Sequence, residues 1–119
     1  DDGFLFSFGL GSYGRLGHGN DKNLGYPKKI SSVQNVDFFE CGGSHTICKT
    51  LDNNIFCWGS NSNGQLGIGN NIAHVPYNCI NWISNLSNEN IVDIKCGVFF
   101  TLVLTSNKEV YSCGNNGLG

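Results

Sequence analysis

Three histidines, six cysteines and two glycine-rich runs are the residues of this 119-residue chain with the most chemistry to offer. A histidine becomes a general base or a metal ligand when a carboxylate, a thiol or a second imidazole stands at hydrogen-bonding or chelating spacing. His18 and His74 fall in predicted loops with no such partner at ligand spacing. His45 has a counterpart later in the chain, Phe100, so its position demands bulk and it is expected to be structural. The cysteines, at 41, 48, 57, 79, 96 and 113, include no Cys-x-x-Cys pair, which argues against zinc. Their even number would suit a disulfide framework, but the spacing resists one. They are expected to be small buried apolar residues, and reduced thiols suit a cytoplasmic or nuclear setting.

The runs Gly14-Arg15-Leu16-Gly17 and Gly64-Gln65-Leu66-Gly67 look like phosphate cradles. No Lys-Ser/Thr follows either, and a unique site seldom recurs within one chain. Tight loops, each with a leucine tucked between neighbouring units, are the plainer expectation. Trp58 sits on a predicted strand and is expected to pack between units, while Asp52 and Asn107 are turn residues by position. The sequence holds no paired carboxylates, no Ser/His/Asp arrangement and no Cys/His pair that would support catalysis. No catalytic residue, cofactor or metal ligand is therefore expected.

The elements that must position these residues repeat. Phe6 to Asn20 reads FSFGLGSYGRLGHGN, and Phe56 to Asn70 reads FCWGSNSNGQLGIGN, fifty residues on. A third copy opens at Val110 with VYSCGNNGLG. The stretches between also repeat: VDFFECGGSHTICKTLDNNIFCWG from Val36, and IVDIKCGVFFTLVLTSNKEVYSCG from Ile91, at an offset of 55. The five extra residues fall between Gly69 and Ile91, in a predicted surface loop. A period near 50 marks a repeat architecture. It divides the chain into 1–54, 55–109 and the start of a third unit at 110–119. The third copy has reached only Gly119, the counterpart of Gly14 and Gly64, so the parent sequence is expected to continue Gln/Arg-Leu-Gly.

Short β-branched and aromatic runs give strand candidates at 4–8, 28–31, 36–41, 46–50, 55–58, 78–81, 91–96, 101–105 and 110–113. Alternation puts Val92, Ile94 and Cys96 on one face, with Asp37, Phe39 and Cys41 as their counterparts. TLVLT at 101–105 is apolar on both faces and suits a strand between layers. Short turns at 42–44 and 52–54 imply antiparallel neighbours. Four-stranded antiparallel meanders of about 50 residues are the blades of a β-propeller, and the fold class is all-β.

Composition narrows the function classes. Charged residues are 13%, glycines number 17, and Lys+Arg 7 against Asp+Glu 9 gives a net charge of −2. That is not the basic footprint of a nucleic-acid module. No apolar run approaches the length of a membrane span, and no signal peptide is recognisable.

WD-type blades are shorter and carry a Trp-Asp dipeptide absent here; kelch blades want a Gly-Gly doublet in each copy, but the second copy has Gly97-Val98. FCWGSNSNGQLG at 56–67, with Cys41-Gly42 and His45-Thr46 upstream, resembles the regulator of chromosome condensation repeat. The departures are Phe8 and Cys113 at the family's Trp, Gly11 at its Asn, and Phe100 at its His. The resemblance implies a seven-bladed β-propeller, of which this chain would supply about two blades.

The founding family member is a guanine-nucleotide exchange factor for the small GTPase Ran and binds nucleosomes. Exchange there is mechanical, by a wedge that loosens the nucleotide site, and no residues here match a wedge. Other members are scaffolds in ubiquitin-ligase, ciliary or cytoskeletal assemblies. Three readings stay open: a non-catalytic interaction scaffold, an exchange factor for a Ran-type GTPase with chromatin association, and the docking part of an enzyme whose catalysis lies in another domain. Protein partners, a small GTPase or a large assembly, are expected to meet the divergent loops 21–26 and 72–90.

Overall fold

The computed structural model describes residues 3–69, 72–80 and 90–119, the side chains of 76–80 excepted. Nine strands follow one another: β1 (Phe6–Gly9), β2 (Leu24–Lys29), β3 (Val36–Cys41), β4 (His45–Thr50), β5 (Ile55–Ser60), β6 (His74–Ile80), β7 (Ile91–Cys96), β8 (Phe100–Thr105) and β9 (Val110–Gly114). They form three antiparallel sheets, β1-β2, β3-β4-β5-β6 and β7-β8-β9. The one helical element among the described residues is a 3-10 turn at Ser12–Gly14. The middle sheet is a complete four-stranded propeller blade. It takes β3 and β4 from one sequence period and β5 and β6 from the next, so it crosses the 54/55 division.

The core lies between sheets. Ile47, Ile55, Cys57, Leu66, Val75, Ile91, Ile94 and Val103 form one buried cluster joining the middle and third sheets. Ile30, Val33, Cys48 and Trp58 form a second, on the side of the first sheet. Full burial stabilises each large apolar side chain by about 1.5–3 kcal/mol. Most of that gain therefore depends on one blade meeting another. β3 also lies against β7, so the leading strands of adjacent sheets converge.

Every strand candidate corresponds to a strand, but two are misplaced. β2 covers 24–29 rather than 28–31, and β6 covers 74–80 rather than 78–81. Both contain a proline, Pro27 and Pro76, and β2 also Gly25, residues depleted in strands. What holds them is pairing with an established strand, Gly9 opposite Leu24 and Ser60 opposite His74.

The expected faces also need correction. In β3 exposure alternates strictly, and the face carrying Asp37, Phe39 and Cys41 is the outward one, with Phe39 52% exposed, while Phe38 packs on the core. In β7 a register shift between Ile91 and Asp93 buries Ile91 and Ile94 and leaves Val92 outside. A β-bulge adds one residue to a strand, so strict alternation fails across it. In β8, Thr101, Val103 and Thr105 are buried while Leu102 and Leu104 are exposed; among the described residues, one face of this sheet is covered and the other is not.

Candidate functional site

The connections β1–β2 and β5–β6 carry the two glycine runs, and they fold alike. Gly14 N–H donates to Gly11 O at 3.0 Å and Gly17 N–H to Gly14 O at 3.0 Å. In the second copy Gly64 N–H donates to Asn61 O at 2.9 Å and Gly67 N–H to Gly64 O at 3.0 Å. Gly14, Gly17, Gly64 and Gly67 all have positive φ, between 66° and 77°, where a side chain is strained. The Asn61 side chain ties its loop together, with Nδ2 donating to Ile72 O at 2.9 Å and Oδ1 accepting from Leu66 N–H at 3.2 Å. Gly11 has no side chain to do this. Asn23 ties this loop differently: its Oδ1 accepts Gly11 N–H at 2.9 Å, where the counterpart Asn61 N–H donates to Ala73 O at 2.7 Å. Leu16 and Leu66 are both buried.

Each loop offers one backbone carbonyl to the next blade. Trp58 is 1% exposed, and its Nε1–H donates to Arg15 O at 3.0 Å. Its indole lies so close to Gly17 that a Cβ there would sit 2.9 Å from the ring. At the following seam the counterpart carbonyl is Gln65 O. It accepts from Thr101 Oγ1 at 2.8 Å and from Cys113 Sγ, which stands where the earlier copy has Trp58, at 3.6 Å.

His45 belongs to this second seam. It is 1% exposed, and Nε2 lies 2.9 Å from Thr101 Oγ1. The one hydroxyl hydrogen of Thr101 goes to Gln65 O, which can only accept, so His45 must donate from Nε2. Its Nδ1 then carries a buried lone pair with no hydrogen-bond partner. Burial lowers the pKa of His45 to about 4, against a small opposing contribution from the Phe100 backbone, so the ring is neutral at pH 7. The rings of His45 and Phe100 cover Gly42 and Gly97 in the same way, and a Cβ on either glycine would overlap the ring. A neutral imidazole donating into a carbonyl chain holds two blades together and is poorly placed for proton transfer.

The thiols divide by burial. Cys48 and Cys57 are buried, Cys96 and Cys113 partly so. Burial pushes the Cys48 thiol up to about 12 and those of Cys96 and Cys113 up to about 11, which keeps them protonated and weakly nucleophilic. The side chain of Cys79 lies outside the described residues. Among the described residues no group of three His, Cys, Asp or Glu side chains is placed to hold a metal ion. Among the described residues no helix is long and apolar enough to cross a membrane.

What the two loops present outward is a mixed aromatic and charged cluster. Tyr13 is 50% exposed and has φ 63°, a left-handed conformation unusual for a bulky residue. Arg15 Cζ stands 5.6 Å from the Tyr13 ring centre, and the His74 ring meets Tyr13 edge-on at 6.4 Å. His74 Nε2 lies 4.0 Å from Asp21 Oδ2. Arg15 is held by Nε to Ser12 O at 2.9 Å and Nη1 to Gly43 O at 3.3 Å, so it spans from its loop to the turn after β3.

The two divergent loops expected to bind partners thus meet in space, at Asp21 and His74. Leu24–Tyr26 and His74–Ile80 are strand rather than loop, and 81–89 lie outside the described residues. Tyr13 and Arg15 were not anticipated from sequence. The signal was present: within an otherwise matching motif they stand where the second copy has Asn63 and Gln65.

Comparison with known proteins agrees with this geometry. The family model for the regulator of chromosome condensation (RCC1) repeat matches residues 2–48 and 52–104. The chain is 31% identical to the serine/threonine-protein kinase Nek8 of Danio rerio over 98% of its length, but spans only 16% of that protein. It is 36% identical to the probable E3 ubiquitin-protein ligase HERC4 of Homo sapiens over 97% of its length, spanning 11% of it. The solved structure of Prp20p from Saccharomyces cerevisiae, described with its binding to Gsp1p and histones, superposes with a TM-score of 0.80 at 26% identity. That match covers 95% of this chain and 27% of the other.

Proposed function

This chain belongs to the regulator of chromosome condensation repeat family, and from that premise we propose that it is a non-catalytic protein-interaction scaffold of the cytoplasm or nucleus. The observation that carries the proposal is the exposed cluster of Tyr13, Arg15, Asp21 and His74. These residues come from the connections of two blades and are assembled by the fold into one surface. Tyrosine and arginine dominate the energetics of protein interfaces, because they bring large contact area with few rotors and several donors. A bulky residue held at positive φ on a surface is a further mark of use, since the strain must be sustained by its surroundings. The buried histidine and thiols, by contrast, are engaged in the seams.

The test is quantitative enrichment of partners on the intact protein and on Tyr13→Ser and His74→Ala variants. The scaffold reading expects a defined partner set that is lost with either substitution while the thermal transition is unchanged. Retention of the whole set by both variants would overturn it. Relatives that are a kinase and a probable ubiquitin ligase support a docking role beside a separate catalytic domain.

The likeness to Prp20p, described with Gsp1p and histones, favours a second reading, guanine-nucleotide exchange on a Ran-type GTPase with chromatin association. Release of labelled GDP from such a GTPase separates the two. The scaffold reading expects no acceleration, and a clear acceleration would put exchange in its place.

A further inference from the structure

A second polar site lies away from the Tyr13 cluster. A cleft of about 230 Å³ is lined by Gly17, His18 and Gly19 on one side and by Lys28, Lys29, Ser31 and Ser32 on the other. Among the described residues no carboxylate lines it. Its two lysines are not equivalent. Lys29 Nζ is engaged 3.2 Å above the Phe4 ring, whereas Lys28 makes no hydrogen bond or ion pair among the described residues. His18 is anchored through Nε2, 2.8 Å from Ser7 Oγ. The Ser7 hydroxyl hydrogen goes to Leu16 O at 2.7 Å, so His18 donates from Nε2 and its Nδ1 keeps the lone pair. The groups of ionic character facing His18 are Lys28 and, with its ammonium turned to Phe4, Lys29; both sit on β2. Burial first, and the Lys28 charge second, lower the pKa of His18. A cation without a partner beside a histidine it disfavours protonating is an arrangement that an anion would relieve at both groups.

We propose that this cleft binds a phosphate monoester, carried by a phosphoserine or phosphothreonine of a protein partner. The donors available are the Lys28 ammonium, the Ser31 and Ser32 hydroxyls, and His18 once protonated. They exceed what the two oxygens of a carboxylate can use and suit the terminal oxygens of a phosphoryl group. A nucleic-acid backbone would need an extended basic stripe, and the chain has a net charge of −2. An extended peptide has a place to lie: among the described residues β2 is hydrogen-bonded only to β1 within its sheet, and its other edge is open. The plainer role of Lys28 and Pro27 is to protect that open edge from pairing with another chain. That role explains a lysine on the edge, but not a cleft with a histidine and two hydroxyls around it. Binding is coupled to proton uptake at His18, so the bound anion raises the histidine's midpoint; the gain as pH falls ends near the ester's second pKa of about 6, below which the ester itself loses charge.

The proposal rests on the scaffold reading for its source of phosphate. It is tested on the intact protein by following the His18 imidazole by NMR. The probes are a short phosphoserine peptide, its unphosphorylated twin, inorganic phosphate and a single-stranded oligonucleotide. The phosphopeptide should raise the His18 titration midpoint by about one pH unit, and the twin should leave it unmoved. Lys28→Gln should weaken phosphopeptide binding about tenfold, the loss of one charge-assisted contact, and Lys28→Arg should restore most of it. Ser31→Ala combined with Ser32→Ala should weaken it further without shifting the His45 signal, which reports the seam. No movement of His18 with the phosphopeptide, or binding indifferent to Lys28→Gln, would overturn the site. Inorganic phosphate binding as tightly as the peptide, or the oligonucleotide displacing it, would overturn the protein source. If the phosphopeptide fails while Tyr13→Ser still abolishes partner capture, this proposal falls and the scaffold reading stands.

Discussion

At the scale of single residues, position decides whether a reactive group is reactive. His45 has the chemistry of a base and the surroundings of a core residue. Burial holds its pKa at about 4 in the fold, against an ordinary value of 6.5. Between those limits the unfolded chain binds the more protons, so stability rises with pH. The contribution is whole above pH 6.5, is lost as pH falls toward 4, and is flat below. The shift corresponds to about 3 kcal/mol. Urea titrations from pH 7.5 to 4 should show that loss in the native protein. His45→Phe should reduce the slope to what His18, lowered in the same direction, still contributes. Because Phe100 fills the equivalent place over Gly97, His45→Phe should cost no more than about 1 kcal/mol at pH 7. A larger cost would show that the donor to Thr101, rather than the bulk, is what the seam requires.

Trp58 is the complementary case. Trp58→Phe keeps most of the ring but leaves Arg15 O without its donor, an expected loss of about 1 kcal/mol, whereas Trp58→Ala opens a cavity worth about 3–5 kcal/mol. Chemical denaturation separates the two, and near-equal losses would remove the hydrogen bond from the account.

At the scale of elements, the turns joining β4 to β5 and β8 to β9 are one design in two sequences. Thr50 N–H donates to Asn54 O at 2.9 Å, and Thr105 N–H to Glu109 O at 3.0 Å. Asn53 has φ 65° and its counterpart Lys108 has φ 66°. Asparagine tolerates this conformation and lysine does not. Lys108→Asn should therefore stabilise by about 0.5–1 kcal/mol, and Asn53→Lys should destabilise by a similar amount, both read from thermal melts. Unchanged melting in both would mean that the turn is relaxed in solution.

These turns were legible in the sequence because aspartate, asparagine and short spacing announce them. The seven strands with β-branched or aromatic runs were legible for the same reason. β2 and the start of β6 were displaced because residues such as Gly25, Pro27 and Pro76 carry little strand signal and take their conformation from a neighbour. The inward face of β3 was misassigned because apolar residues stand on both of its alternating faces, Phe38 on one and Phe39 on the other, and that of β7 because a bulge shifts the pleat after Ile91, a tertiary event with no local marker. The cluster at Tyr13 was half legible: its loops were identified by divergence, but the meeting of Asp21 with His74 depends on how two blades stack.

At the scale of the whole molecule, stability lies between blades, and two sheet faces are left uncovered by the described residues. Phe6, Phe8 and Leu10 are exposed at one side, and Leu102, Leu104 and Val110 at the other. Repeat arrays hold each unit by its neighbours, and exposed apolar strands invite association. Residues 1–119 produced alone should self-associate, seen as concentration-dependent light scattering, and Leu102→Lys with Leu104→Lys should diminish it. A monodisperse monomer with a cooperative melt would show that these faces are tolerable in water.

The joints between blades have a further property. Trp58 in one seam, and Thr101 with Cys113 in the next, all grip a main-chain oxygen, of Arg15 and of Gln65 respectively. A main-chain oxygen is present whatever residue carries it. The side chain above the joint is therefore free to drift under selection while the joint below persists, and a stack of similar units can acquire a different outward vocabulary at each position. Tyr13 in one copy and Asn63 at the matching place in the next, both exposed, show such divergence begun. Recombination that exchanged whole units would meet the same docking oxygen every time, so new surfaces can be composed without reinventing the hinge on which they hang.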